Sequence, residues 1–265
     1  MTQVRPPSVA GTFYPASAAS LKAMVESFIG QVRDDAPAPK ALIAPHAGYV
    51  YSGPIAGRAY ALIRGSRSTL RRVVLIGPCH RTPIRGIAVT SAQAFRTPLG
   101  DVAVDLEAVQ AALTLPQVGV SDAAHADEHS LEVQLPFLQS VLDDFAIVPL
   151  LTGLTDAGDV ADVLEALWGG NETMIAVSTD LSHYLPYRAA AEQDARTAAA
   201  IETLQANGLG HHDACGADGV RGLLLLARKR AMTVRRVDLR SSGDTAGPRD
   251  RVVGYGAFAV YESAP

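Results

Sequence analysis

Short, continuous apolar runs alternate with helical patterns along the chain of 265 residues, and this alternation constrains the fold more than any other feature. Strands buried on both faces are indicated at residues 40–44 (KALIA), 72–76 (RVVLI), 146–151 and 174–177 (MIAV). Strands that alternate with helices predict a mixed, mostly parallel sheet covered on both faces. We therefore expect an α/β fold, a single three-layer α/β/α domain over residues 1–265.

Helical spacing of apolar residues marks the segments between these strands. Helices are predicted at residues 55–63, 130–142, 188–205 and 219–230. Pro136 is expected to bend the second of them, because proline removes a backbone donor. The stretch DDAPAP at residues 34–39 is typical of a short connection.

Composition excludes several classes of protein. A formal net charge of −4 creates no field that would attract nucleic acid or an anionic membrane surface. No signal-peptide core is present, and no apolar stretch approaches the ~20 residues that span a bilayer. Only two cysteines occur, Cys79 and Cys215, which favours a reducing cytosol. We expect a cytoplasmic protein, and the excess of arginine over lysine is typical of GC-rich, prokaryotic coding.

Three histidines follow three predicted strands. His46 lies in APHAGY, His80 in GPCH and His183 in STDLSH. Because ligands of open α/β sheets bind outside the carboxyl ends of strands, these histidines are expected to share one crevice. Imidazole is the commonest metal ligand in proteins and the usual general base. The wide spacing excludes a zinc finger but is compatible with a catalytic metal.

Cys215, in HHDACGADG, is a further candidate ligand. If Asp213 caps the next helix, Cys215 lies near its first turn, where the helix dipole lowers the pKa of a thiol. The alternative is a small buried hydrophobe, which is the usual fate of a free cysteine. We interpret Cys79 as a packing residue.

Other polar residues leave more than one interpretation open. In HADEHSLEV, a helix would put His125 and His129 on one face, and Asp127 and Glu128 would suit its positive end. His129 then either lines the crevice or caps a turn. Asp180 either orients an imidazole, holds a cation or is a solvated loop carboxylate.

Several longer stretches together resemble the Memo family, also called protein B of the AmmeMemoRadiSam system. The resemblance runs nearly from end to end and rests on the stretches VAGTFYPAS (9–17), ALIAPHAGYVYSGPIAG (41–57), VVLIGPCH (73–80), FRTPLGDVAVD (95–105), DEHSLEVQLPFLQ (127–139), STDLSHY (178–184), DACG (213–216) and VVGYGAFAV (252–260). It implies a fold similar to the LigB-like class III extradiol dioxygenases.

The resemblance also implies a non-heme metal site. Its ligands would be His46, His80 and Cys215, with His183 as acid/base and Asp180 beside it. The dioxygenases hold ferrous iron with two histidines and a carboxylate, whose place Cys215 takes here. Iron is therefore the first expectation for the cofactor, and the soft thiolate makes zinc or copper the alternatives.

Three functions remain open at this stage. The first is a metal-dependent redox enzyme related to the dioxygenases, with His129 completing the polar wall. The second is a non-catalytic module that binds a peptide or protein in the same crevice, lined by Phe13 and Tyr51. The third, ranked last, is a hydrolase with Cys215 as nucleophile and His183 as base. The ligand is an unknown small molecule or peptide, and the system's name implies AMMECR1-type and radical-SAM proteins as partners.

Overall fold

The computed structural model describes residues 3–30 and 38–262, so positions 34–37 of the predicted connection lie outside the described residues. The strands of the described chain are β1 (Val4–Arg5), β2 (Ala41–Ala44), β3 (Arg72–Pro78), β4 (Ile87–Val89), β5 (Ala94–Thr97), β6 (Gly100–Val104), β7 (Val118–Val120), β8 (Ala146–Thr152), β9 (Thr173–Ser178), β10 (His183–Leu185), β11 (Thr233–Ser241) and β12 (Val252–Tyr261). The α-helices are α1 (Ala18–Ile29), α2 (Tyr49–Ala61), α3 (Leu106–Ala112), α4 (Asp122–Ala126), α5 (Leu135–Val141), α6 (Ala157–Ala166), α7 (Tyr187–Glu202) and α8 (Ala217–Lys229).

A parallel ladder forms the centre of the sheet. The order β6-β8-β3-β9-β2 is parallel throughout, and β12 continues it antiparallel to β2. Val74 of β3 pairs with Val148 of β8 and Ile175 of β9, and all three side chains are fully buried. Burial of this kind is possible only where both faces of the sheet are covered. The prediction of an α/β fold with a mixed, mostly parallel sheet is confirmed.

Alternate residues of β3 face opposite layers, as the two-residue repeat of a strand requires. On one side, α8 comes so close that a Cβ on Gly219 would lie 3.9 Å from Ile76. On the other side, a Cβ on Gly77 would lie 3.0 Å from both Leu131 and Ser130. The segment that leads into α5 therefore covers the face opposite α8.

Helix α2 begins at Tyr49, six residues before the helix predicted at 55–63. Its early turns carry Gly53 and Gly57, which pack against Phe28 of α1 so tightly that a Cβ on Gly53 would lie 2.4 Å from the phenyl ring. Glycine gives no apolar periodicity, so the sequence pattern concealed this part of the helix.

The predicted bend at Pro136 is wrong. The segment predicted as one helix at 130–142 is a 3₁₀ turn, Glu132–Gln134, followed by α5. Pro136 stands in the first turn of α5, where the missing N–H has no intrahelical partner to lose. The other two predicted helices match α7 and α8 to within three residues at each end.

Length and apolar character together define a helix that can cross a bilayer. Within residues 3–30 and 38–262, no helix meets both conditions.

Candidate metal centre

Three neighbouring parallel strands, β2, β9 and β3, end at the same edge of the sheet. His46, His80 and Asp180 each stand two residues beyond the last residue of β2, β3 and β9, respectively. Equal spacing past parallel strands brings the three residues to one crevice. His183 opens β10 and lines the same cavity.

The side chains of His46, His80 and Cys215 converge in this crevice. One donor atom from each lies within 4.8 Å of the other two. The Cys215 sulfur is 3.3 Å from His46 Nε2, and the two imidazole centroids are 5.2 Å apart. The structure thus brings together the three residues that the sequence singled out as ligands.

The tautomer of His46 follows from its hydrogen bonds. Its Nδ1 lies 2.8 Å from Ser178 Oγ, whose own hydrogen is donated to the carbonyl of Ser130 at 2.6 Å. Ser178 Oγ can then only accept from His46, so Nδ1 carries the proton and Nε2 presents a lone pair towards Cys215. Burial lowers the pKa of His46 well below its ordinary value, which keeps the ring neutral.

A buried carboxylate orients His80. Glu128 Oε1 lies 2.9 Å from His80 Nδ1, and the Glu128 carboxylate also accepts the backbone N–H groups of His80, His129 and Ser130. Burial alone would raise the pKa of Glu128, but the hydrogen bond and charge of His80 outweigh it and lower the pKa to about 2. An ionised Glu128 fixes the proton on Nδ1 of His80 and leaves Nε2 free, as is usual for imidazoles that bind metals.

The prediction for Glu128 is therefore corrected. Helix α4 ends at Ala126, and Glu128 turns inward behind His80 instead of starting a helix. The shared helical face expected for His125 and His129 is also wrong. His125 lies in α4, fully buried, with Nε2 3.1 Å from the carbonyl of Ala88.

His129 lines the cavity, so of the two interpretations left open the structure favours the crevice. Its ring stacks on His80 at a centroid distance of 4.8 Å and contacts Phe13 at 4.8 Å. Burial lowers the pKa of His129 to about 4, against the opposing charge of Glu128. Its Nδ1 has no hydrogen-bond partner within the described part of the chain.

Asp180 holds the loops of the site together. Its carboxylate accepts the backbone N–H of His46 at 2.8 Å, and its own N–H points to the Cys215 sulfur at 3.3 Å. Burial raises the pKa of Asp180 to about 7. Within residues 3–30 and 38–262, no hydrogen bond joins the Asp180 carboxylate to His183. The carboxylate contacts the backbone N–H of His46 instead of the imidazole of His183. The interpretation as a solvated loop residue is wrong, since Asp180 is buried.

The surroundings of Cys215 differ from those predicted. Helix α8 is capped by Gly216 and not by Asp213, and Cys215 lies just before its first turn. Burial and the nearby Asp180 raise the pKa of the Cys215 thiol to about 12, where a lowered pKa was expected. A neutral thiol is a poor nucleophile, which disfavours the hydrolase hypothesis. Cys79 packs against the core, with its sulfur 3.1 Å from the carbonyl of Thr82.

A cavity of about 990 Å³ opens above these residues. Phe13 and Tyr51 line it, as do four residues that the sequence interpretation did not assign to the site: Arg81, His211, His212 and Arg251. His211 and His212 are exposed at the cavity wall. Arg81 directly follows His80 and the histidine pair closely precedes Cys215, so their neighbours in the chain could have indicated these three, whereas Arg251 reaches the cavity only through folding of a distant loop.

Comparison with known proteins agrees with the sequence motifs. A family model described as "Memo-like protein" matches residues 5–259. A MEMO1 family protein of Archaeoglobus fulgidus is 35% identical over 271 residues, covering 95% of this chain and 97% of its own. A MEMO1 family protein of Aquifex aeolicus is 34% identical, covering 96% and 97%. An uncharacterized protein from Escherichia coli K12 superposes with a TM-score of 0.49 at 15% identity, covering 81% of this chain and 98% of its own. The chain belongs to the Memo-like family.

Proposed function

We propose that the protein is a metal-dependent redox enzyme whose metal ion, iron first among the candidates, is held by His46, His80 and Cys215. The observation that carries the proposal is that both imidazoles engage Nδ1 with a fixed partner, Ser178 or Glu128, and keep Nε2 for another ligand. Two imidazoles and a thiol within 4.8 Å are a donor set that suits iron, zinc or copper. Three protein donors leave coordination positions open.

When bound, the metal would supply a Lewis acid and a centre for electron transfer. The protein's own groups would position the ligands and transfer protons to or from the substrate. Burial lowers the pKa of His183, so its neutral ring can accept a proton from a substrate in the cavity. Asp180 positions the backbone of His46 and lies beside Cys215, and His129 closes the wall against water.

The direct test is metal analysis of protein purified anaerobically without chelator, followed by oxygen-uptake measurements with catechols and related reductants. We expect stoichiometric iron, zinc or copper in the native protein and none in a His46→Ala variant. Metal-free native protein that fails to take up any of the three ions would contradict the proposal. It would favour the alternative, a non-catalytic module that binds a peptide or protein in the same cavity.

Replacing His183 with alanine tests whether this residue is a metal ligand or an acid–base group. We expect His183→Ala to bind metal within about threefold of the native affinity and to lose about 10²–10⁴-fold in turnover, the usual contribution of a general acid–base group. Isothermal titration gives the affinity, and oxygen uptake gives the turnover. Loss of metal binding as complete as in His46→Ala would make His183 a ligand instead.

Removing the negative charge of Glu128 tests the role of this buried carboxylate, which contacts His80. We expect Glu128→Gln to weaken metal binding about 10–100-fold, because the amide no longer fixes the proton on Nδ1 of His80. The matched control is Glu107→Gln, an exposed carboxylate in the first turn of α3. Equal affinities of both variants and the native protein would show that Glu128 serves only the fold.

A further inference from the structure

The charges around the cavity are unequal. Its lining includes two permanently charged side chains, Arg81 and Arg251, and one carboxylate, Asp180. The carboxylate is buried, and its oxygens accept backbone N–H groups beside His46. Both guanidinium groups are exposed, so the opening of the cavity is cationic although the chain carries a net charge of −4. A concave site lined by one sign of charge concentrates ligands of the opposite sign.

Neither arginine has an acidic partner among the described residues. In the part of the chain that the structure describes, Arg81 and Arg251 make no salt bridge and no side-chain hydrogen bond. Some exposed arginines elsewhere are paired, as Arg67 is with Asp143 at 2.6 Å. The fork of N–H donors that suits a carboxylate or phosphate is therefore free at both positions.

Arg251 is held in place by an aromatic ring. Its guanidinium carbon lies 5.1 Å from the centroid of Tyr184, within the range of a cation–π contact. Tyr184 has a φ of 58°, in the left-handed region that a bulky side chain rarely adopts. The register of β10 shifts between His183 and Leu185, so a bulge turns Tyr184 to the cavity opening beside His183. Backbone strain of this kind persists where it aims a functional side chain.

We infer that the substrate of this site carries an oxyanion, a carboxylate or a phosphate, that Arg81 and Arg251 bind at the opening of the cavity. The position of its reacting end, towards His46, His80 and Cys215, rests on the proposed function. A cavity of about 990 Å³ accommodates a small organic anion with its charged end at the arginines. The aromatic rings of Phe13 and Tyr51 add apolar surface to the cavity lining.

Three probes of similar size test the inference: benzoate, phenyl phosphate and neutral benzamide. Ligand-observed NMR titrations of the full chain, at constant ionic strength, give the dissociation constants with and without added zinc. We expect at least one of the two anions to bind about tenfold more tightly than benzamide, in either metal state. The stronger anion identifies the oxyanion as carboxylate or phosphate.

Arginine variants test which residues cause the preference for the anionic probes over benzamide. We expect Arg81→Gln and Arg251→Gln each to weaken anion binding about fivefold, and the double variant to bind the anions no better than benzamide. Arg64→Gln removes the same charge from an exposed position outside the cavity and should change nothing. Equal binding of all three probes, no binding up to about 10 mM, or an equal loss in Arg64→Gln would overturn the inference. Zinc binding is measured separately, so a failure of the metal site and a failure of the anion site are distinguishable.

Discussion

Replacing Cys215 with serine is expected to weaken binding of ferrous, zinc and cuprous ions by more than about 100-fold. Loss of a group that only orients a ligand costs 10–100-fold, and this change removes a charged, soft donor itself. The matched control is Cys79→Ser, because that sulfur contacts the carbonyl of Thr82 and lies outside the donor cluster. Titration of the three proteins gives the affinities. Equal affinities would end the metal-site proposal.

The same titrations should depend on pH in a defined direction. Without metal the thiol of Cys215 is protonated, because burial raises its pKa to about 12. Since thiolate is the ligand, binding releases this proton, and affinity should fall about tenfold for each unit that the pH drops between about 8 and 6. His46 adds no further proton, because burial lowers its pKa. The serine variant should lose most of this dependence, and proton release measured in two buffers checks it.

The convergence of His46 and His80 was predictable because its signal is local, whereas the choice of Cys215 as the third residue came from the resemblance to the Memo family. His46 and His80 directly follow apolar runs, and a buried parallel strand ends where such a run ends. Because neighbouring parallel strands end at the same edge of the sheet, the residues that directly follow them are expected to lie close together. The same logic predicted the central strands and helices α7 and α8, and it failed at the start of α2, where Gly53 and Gly57 replace apolar residues against Phe28.

The groups that tune the ligands were not predictable. Glu128 acts through an imidazole 48 positions earlier in the chain, and Ser178 acts through one 132 positions away. Neither contact has a periodicity or spacing that sequence alone would reveal. The pKa of Cys215 was missed for the same reason, since its direction depends on tertiary burial and on Asp180. Arg251 joins the cavity only through loop packing, whereas Arg81 directly follows His80 in the chain.

One further carboxylate holds the segment that carries Phe13 to the cavity. Glu132 is fully buried and forms a salt bridge with the buried Arg5. It also accepts the hydroxyl of Tyr14 at 2.5 Å and the backbone N–H of Ser8 at 2.7 Å. A single side chain thus neutralises a buried cation and anchors both ends of this segment, so its removal should affect both stability and the cavity wall.

Glu132→Gln is expected to destabilise the fold by about 3–5 kcal/mol, because it leaves the buried guanidinium of Arg5 without a counter-charge. For a chain of this size the melting temperature should fall by about 10 °C. The control is Glu165→Gln, which removes an exposed ion pair with Lys229 and should leave the melting temperature nearly unchanged. Thermal unfolding followed by circular dichroism measures both. If the two variants have the same melting temperature, the pair Arg5 and Glu132 contributes no more to stability than a surface ion pair. The position of Phe13 must then depend on other contacts, such as the hydrogen bond of 2.8 Å from the backbone N–H of Tyr49 to the carbonyl of Phe13.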